Sequence, residues 1–67
     1  MRGVISKLIV ERGFGFIQPL AGAEVFFHRT GLQATTRPFE ELQVGDHVEF
    51  TEIESAKGPR AIEVRVL

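Results

Sequence analysis

The chain has 67 residues with eight basic and nine acidic side chains, a net charge of −1, and no cysteine. This length supports a single domain, residues 1–67, with too little buried surface for both a core and a deep catalytic cleft. The lack of cysteine excludes disulfides and thiolate metal sites, and it suits a reducing, cytoplasmic location. Residues 1–10 lack the apolar region of a signal peptide, and no apolar run approaches the ~20 residues of a membrane span, so we expect no membrane partner.

Five short strands are predicted along the chain from alternating apolar residues and the turn signals between them. They cover residues 3–10, 12–17, 24–29, 47–54 and 60–67. A polar loop is predicted over residues 33–39. The first strand is expected to bulge near Ser6 and Lys7, and the fourth to bulge or end near residues 51–53, because alternation slips at both places. Short strands in a small chain must close on themselves to hide their edges, which predicts an all-β fold, a small five-stranded antiparallel barrel.

Alternation also predicts which side chains face the core. The expected inner side chains are Val25, Phe27, Leu32, Leu42, Val48, Phe50, Ile62, Val64 and Val66. In the last strand the residues between them are expected to face solvent: Ala61, Glu63, Arg65 and Leu67.

Residues 12–17 carry aromatic rings on a strand face that is expected to be exposed to solvent. Phe14 and Phe16 share this face with Arg12 and Gln18, while Gly15 lies on the other face. A glycine inside a strand often marks a bulge or a close approach of another backbone. The pattern predicts an exposed aromatic surface rather than a core strand.

Residues 24–29 repeat the pattern, with Phe26 and His28 on one face. If the two strands pair, one surface carries four rings, here called the ring platform: Phe14, Phe16, Phe26 and His28. Nucleic-acid bases stack on such rings for roughly 1–3 kcal/mol each, whatever the sequence. The alternative is that the rings are half-buried under a loop or at a protein interface. Phe39, a lone ring in a loop, either plugs the barrel or extends the platform.

The charge is distributed unevenly along the chain. Residues 1–39 hold five basic and two acidic side chains, a net charge of +3, and residues 40–67 hold three basic and seven acidic side chains, a net charge of −4. The half with the rings is therefore the basic half, which can attract phosphate, although an ordinary solvated surface would look similar. The candidate polar and phosphate contacts are Lys7, Arg12, Gln18, Arg29, Arg37, Lys57 and Arg60.

No catalytic or metal site is predicted. His28 shares a face with Glu24 and could act as a general base, but a stacking ring is the better interpretation. His47 is interpreted as a solvated strand residue, and no metal-ligand spacing or cofactor motif occurs. We expect neither an enzyme nor a small-molecule substrate.

Residues 13–17 (GFGFI) and 25–28 (VFFH) resemble the two ribonucleoprotein motifs of the cold-shock domain family, and residues 57–61 (KGPRA) resemble its entry into the last strand. The resemblance covers essentially the whole chain. It implies a Greek-key barrel of the oligonucleotide/oligosaccharide-binding type that binds single-stranded RNA or DNA with low sequence preference. We expect a monomer that keeps strands unpaired, as an RNA chaperone or a regulator of transcription or translation would. The stacking residues that it implies are Phe14, Phe16, Phe26, His28 and Phe39, and Arg12 stands where the family usually has Lys.

Two departures from the family pattern affect the expected affinity. Lys7 and Leu8 stand where the family usually has Trp-Phe, and Arg29 stands where it often has Phe. One missing stacking ring corresponds to about 1–3 kcal/mol, or up to roughly two decades in affinity. We expect a shorter site, weaker binding and a steeper salt dependence. The rival hypothesis is a protein-interaction module whose rings form a protein hot spot.

Overall fold

The five predicted strands are present and form a closed barrel. A computed structural model describes residues 1–34 and 36–67, so Thr35 of the predicted loop lies outside the described residues. The strands are β1 (Arg2–Ile9), β2 (Phe14–Pro19), β3 (Val25–His28), β4 (His47–Ser55) and β5 (Gly58–Val66). Within the described residues, three 3₁₀ turns accompany them: Val10–Arg12, Arg29–Gly31 and Phe39–Glu41.

The strands follow one another around the barrel in the order β1-β2-β3-β5-β4, and β4 pairs with β1 to close it. The fold class is confirmed, with one exception to the antiparallel pairing: β3 and β5 are parallel. The exception arises because the chain leaves β3 and crosses to β1 to form β4, so that β5 returns beside β3 in the same direction. The crossing gives the barrel its Greek-key path.

The bulge predicted in β1 is confirmed at Ser6. Ile5 pairs with Ile17 and Lys7 pairs with Phe16, so Ser6 is the extra residue between them. Beside the bulge, a Cβ added to Gly15 would lie 2.5 Å from the Lys7 carbonyl oxygen. No side chain fits at that distance, which explains the glycine in this strand.

The inner face predicted for the last strand is wrong in part. Ala61 and Val64 are completely buried, Ile62 is only half-buried, and Glu63 is exposed with φ of 54°. The pairing of β4 with β5 is irregular here, since Phe50 of β4 faces both Glu63 and Val64. The extra residue changes the phase of the alternation, so that Ala61 rather than Ile62 lies inside. The irregularity is thus on β5, and β4 runs through the predicted break to Ser55.

The core contains most of the side chains predicted to lie inside. It consists of Ile5, Ile17, Val25, Phe27, Phe39, Leu42, Val48, Phe50, Ala61 and Val64, with Leu8, Leu32 and Val66 packed against it.

The stacking role predicted for Phe39 is wrong in this structure. Only 5% of the residue is exposed, and its ring centroid lies 6.0 Å from that of Phe27. The 3₁₀ turn Phe39–Glu41 directs the ring into the core, where burial of apolar area stabilises the fold. Of the two alternatives left open by the sequence, the core position is the one observed.

Candidate nucleic-acid interface

Pairing of β2 with β3 brings the four rings of the platform together. Phe14 lies opposite His28, and Phe16 lies opposite Phe26. Residues directly opposite each other point to the same face of a sheet. The centroid of Phe26 is 5.5 Å from that of Phe14 and 6.0 Å from that of Phe16, and the Phe14 and Phe16 centroids are 6.1 Å apart. The three phenylalanine rings therefore form one continuous cluster.

The rings of the platform lie outside because their chain neighbours are inside. Val25 and Phe27 on β3 and Ile17 on β2 are essentially completely buried, whereas Phe16 and Phe26 between them remain half-buried. In a strand, a core side chain at one position forces the next to the opposite face. The core thus holds the platform on the outer surface of the barrel.

The register of the sheet extends the platform into a row that crosses all five strands. The cross-strand row contains Lys7, Phe16, Phe26, Arg60 and Ile53, in that order. Lys7 is exposed at one end, and Ile53 is 39% exposed at the other. Ile53 is not among the predicted site residues, because alternation in β4 slips near it and only the pairing with Arg60 places it in this row.

Arg60 lies next to the centre of the platform. Its guanidinium carbon is 5.7 Å from the centroid of Phe26, within the range of a cation–π contact. The residue is half-buried, and within the part of the chain that the structure describes its side chain takes part in no hydrogen bond and no salt bridge. Its N–H donors are therefore available to a ligand.

A cavity of about 570 Å³ opens beside this arginine. It is lined by Phe16, Phe26 and Arg60 and by four residues of the β4–β5 hairpin: Ser55, Ala56, Lys57 and Pro59. The end of β4, the turn and the start of β5 (residues 55–59) are here called the hairpin wall. Lys57 is one of the predicted contacts, whereas Ala56 and Pro59 are not, although the Lys-Gly-Pro turn after a predicted strand is a signal for them.

Hydrogen bonds within the turn hold the hairpin wall in shape. The Ser55 hydroxyl donates to the Gly58 carbonyl oxygen at 2.6 Å and accepts from the Lys57 amide at 3.4 Å. Gly58 has φ of 109°, a conformation that L side chains rarely adopt. The cavity thus has a preformed wall made by the hairpin.

Two more of the predicted cations lie at the other end of the platform. The Arg29 amide donates to the Gly13 carbonyl oxygen at 2.8 Å, which joins the 3₁₀ turn after β3 to the turn before β2. Arg12, in that earlier turn, is exposed, as is Arg29. Arg37 is exposed and lines a groove of about 400 Å³ together with Arg29 and Phe39.

Gln18 holds a loop. Its side-chain amide donates to the carbonyl oxygens of Pro19 and Gly22, at 3.2 Å and 2.9 Å. Both N–H groups thus have partners in the chain, and only the amide oxygen is left for a ligand.

His28 and Glu24 bind other groups rather than each other. The Thr30 amide donates to His28 Nδ1 at 3.2 Å, so the neutral ring carries its proton on Nε2. The Ser6 hydroxyl donates to a Glu24 carboxylate oxygen at 2.7 Å. The acid–base pair considered from the sequence is therefore not assembled.

An ionic cluster lies outside the ring platform, on the paired strands β1, β4 and β5. The Glu49 carboxylate binds Arg65 closely and lies 3.7 Å from Nε of Arg2. The hydrogen bond and positive charge of Arg65, with a smaller contribution from the charge of Arg2, lower the pKa of Glu49 below its ordinary value.

Neither a membrane-crossing helix nor a metal cluster is found in residues 1–34 and 36–67. No helix there has the length and apolar character needed to cross a membrane. The same ranges hold no group of three or more histidine, cysteine, aspartate or glutamate side chains that could bind a metal ion.

Comparison with known proteins places this barrel in a family. The sequence model of the 'Cold-shock' DNA-binding domain matches residues 1–67. The chain belongs to the cold-shock domain family. Among its relatives, a "Cold shock-like protein" of Aquifex aeolicus is 43% identical over 67 residues, which cover 98% of this chain and 93% of the relative. A "Probable cold shock protein A" of Mycobacterium tuberculosis is also 43% identical, over 98% of this chain and 97% of the relative.

A solved structure shares the fold of this cold-shock domain. The structure entitled "drosophila Unr CSD456" superposes with a TM-score of 0.79 and 36% sequence identity. The match covers 98% of this cold-shock domain and 26% of that longer chain. The resemblance inferred from residues 13–17 and 25–28 is thus confirmed, while the roles of individual platform residues stay predictions.

Proposed function

We propose that this cold-shock domain, acting as a cytoplasmic monomer, binds single-stranded RNA or DNA with little sequence preference and keeps the strand unpaired. It would serve as an RNA chaperone or as a regulator of transcription or translation. The observation that carries the proposal is the continuous cluster of Phe14, Phe16 and Phe26 on the outside of a closed barrel, with centroids 5.5 to 6.1 Å apart.

Stacking on this cluster accounts for both the affinity and the tolerance of sequence. Every base has a flat π face, so a phenylalanine ring accepts any of them, for roughly 1–3 kcal/mol per base. Bases inside a duplex are already stacked on one another, and their faces are hidden from the rings. The platform therefore favours unpaired strands over a duplex.

Cations at both ends of the platform support a phosphate backbone that runs across it. Lys7 and Lys57 are exposed beside Phe16 and the cavity, and Arg12 and Arg29 are exposed near Phe14. Each phosphate that is neutralised releases counterions, so binding weakens as salt rises. The net charge of −1 does not oppose this arrangement, because the acidic side chains are concentrated in residues 40–67.

The experiment is a fluorescence anisotropy titration of a labelled pyrimidine strand of about seven nucleotides at several salt concentrations, with the matching duplex as control. The label must be on the nucleic acid, because the protein has no Trp or Tyr. We expect saturable binding of the single strand, weak binding of the duplex, and a log–log salt slope of roughly −1.5 to −3, from about two to four neutralised phosphates. No binding at low salt would contradict the proposal.

A protein-interaction module is the second candidate function. The burial of Phe39 and the presence of Lys7 in the cross-strand row leave fewer stacking rings than the family resemblance implies, while Ile53 adds an apolar side chain. Apolar protein contacts respond weakly to salt, whereas phosphate contacts respond steeply. The salt slope of any complex that forms therefore distinguishes the two functions.

A further inference from the structure

Arg60 is the cation of the cross-strand row that lines the cavity beside the hairpin wall. It is half-buried, and among the described residues its guanidinium takes part in no hydrogen bond and no salt bridge. Its guanidinium carbon lies 5.7 Å from the Phe26 centroid, in a cation–π contact that favours this placement of the side chain. A planar group of N–H donors at the side of an apolar cavity is suited to read the edge of a flat ligand rather than to attract charge from a distance.

We propose that Arg60 makes this cavity selective for guanine, so that a strand bound to the platform keeps one preferred base among otherwise tolerated ones. The inference rests on the proposed function, because it needs a single strand on the ring platform. The cavity of about 570 Å³ is roomy enough for a purine stacked against Phe16 or Phe26, with its edge toward Arg60.

The preference follows from the pattern of donors and acceptors. A guanidinium has five N–H donors and no acceptor, so its partner must present two adjacent acceptors. Guanine does so with O6 and N7, whereas adenine places an amino donor beside N7. Thymine and uracil have an N–H between their two oxygens. Cytosine offers adjacent O2 and N3, but its single ring covers less of the phenylalanine surface.

Arg60 could instead contact a phosphate, but the structure favours a contact between its guanidinium and a base edge. Lys7 and Lys57 are exposed where a backbone would pass, whereas Arg60 is half-buried against a ring. The two roles have different consequences. Loss of a phosphate contact weakens binding uniformly across sequences and reduces the salt slope by about 1, whereas loss of a base contact relaxes specificity at one position.

The test compares labelled seven-nucleotide thymine strands in which the central base is thymine, guanine, adenine or cytosine. Wild-type protein is titrated beside Arg60→Lys, which keeps the charge and loses the planar fork, and Arg60→Gln, which loses both. Arg2→Lys is the matched control, since Arg2 is on β1 opposite Glu49 and does not line the cavity. Far-UV circular dichroism and a thermal melt verify that each variant is folded.

We expect wild-type protein and Arg2→Lys to bind the guanine strand at least about fivefold more tightly than the adenine strand, from the discrimination of a bidentate arginine contact. In Arg60→Lys the ratio should fall to between about 1 and 2. Equal binding of all four strands by wild-type protein, or tighter binding of cytosine, would overturn the guanine assignment while leaving the proposed function intact.

A uniform loss of affinity in Arg60→Gln, with a salt slope smaller by about 1, would also overturn the assignment and make Arg60 a phosphate contact. Absence of binding to any of the four strands, even at low salt, would instead refute the proposed function itself.

Discussion

Phe26→Ala tests the ring platform at its centre. The Phe26 ring contacts Phe14 and Phe16 and supports Arg60, with centroid distances of 5.5 and 6.0 Å and a guanidinium carbon at 5.7 Å. Its removal deletes one stacking surface, which is worth about 1–3 kcal/mol, or a loss of about 5- to 150-fold in affinity. The measurement is the anisotropy titration with a pyrimidine strand.

Phe27→Ala is the control that the chain itself provides. Phe27 is the next residue on β3, points to the other face and is 0% exposed. Deleting such a core ring costs about 3–5 kcal/mol of unfolding free energy, a large part of the total for so small a domain. The half-buried Phe26 loses only its contacts with other surface rings, about 0.5–1.5 kcal/mol each. Adjacent phenylalanines should therefore give opposite phenotypes: Phe26→Ala folded with weak binding, Phe27→Ala mostly unfolded.

Two results would refute this reasoning. Wild-type affinity in a folded Phe26→Ala would show that bases do not stack on the platform. A melting temperature of Phe26→Ala as low as that of Phe27→Ala would show that the ring belongs to the core. Phe26→Leu separates these cases further, because it keeps apolar volume but removes the flat ring, so it should melt near wild type and still bind weakly.

Three further predictions follow from single contacts. Lys7→Phe, opposite Phe16 in the sheet, should add a stacking ring and remove a charge. The anisotropy titration should therefore show about 5- to 100-fold tighter binding and a salt slope nearer zero by about 1. Unchanged affinity would mean that the nucleic-acid strand does not reach β1. Gly15→Ala places a Cβ 2.5 Å from a backbone oxygen, so urea unfolding should show a loss of about 2 kcal/mol or more, and a loss below about 0.5 kcal/mol would contradict the close approach. Arg65 lowers the pKa of Glu49 in the folded state from the ordinary 4.5. The ion pair between Glu49 and Arg65 therefore stabilises the fold at pH values above the unfolded-state pKa of Glu49, and this stabilisation is lost as the pH falls through the folded-state pKa. The difference in urea midpoint between wild type and Glu49→Gln should thus shrink between about pH 6 and about pH 3; a constant difference would count against this linkage.

Local alternation made much of the interface predictable. The positions of Phe14, Phe16 and Phe26 outside and of Val25 and Phe27 inside follow from a period of two, which needs no knowledge of the rest of the chain. The bulge at Ser6 was also predictable, because the apolar pattern of β1 breaks there, and the structure shows the shift in pairing at that residue.

The wrong predictions arose where a distant part of the chain determines the outcome. The local sequence is compatible with either position of Phe39, because the choice depends on packing against residues distant in the chain. In the folded barrel the ring is buried in the core beside Phe27. Ala61 lies inside because Phe50, on another strand, faces two residues of β5. A one-residue shift in pairing changes which side chains face the core, and it leaves no clear mark in the local pattern.

The sequence by itself determined the five strands and the outer position of the rings, because both follow from alternation between residues close together in the chain. It also determined the family, because each of the family's motifs is a short run of consecutive residues. Only the tertiary structure decided which side chains join the rings. Arg60 lies beside Phe26, and Ile53 follows it in the same row, because β5 inserts between β3 and β4. Pairing of strands distant in sequence creates the cavity between the platform and the hairpin wall. The guanine preference that we propose for this cavity therefore depends on the register of the closed barrel.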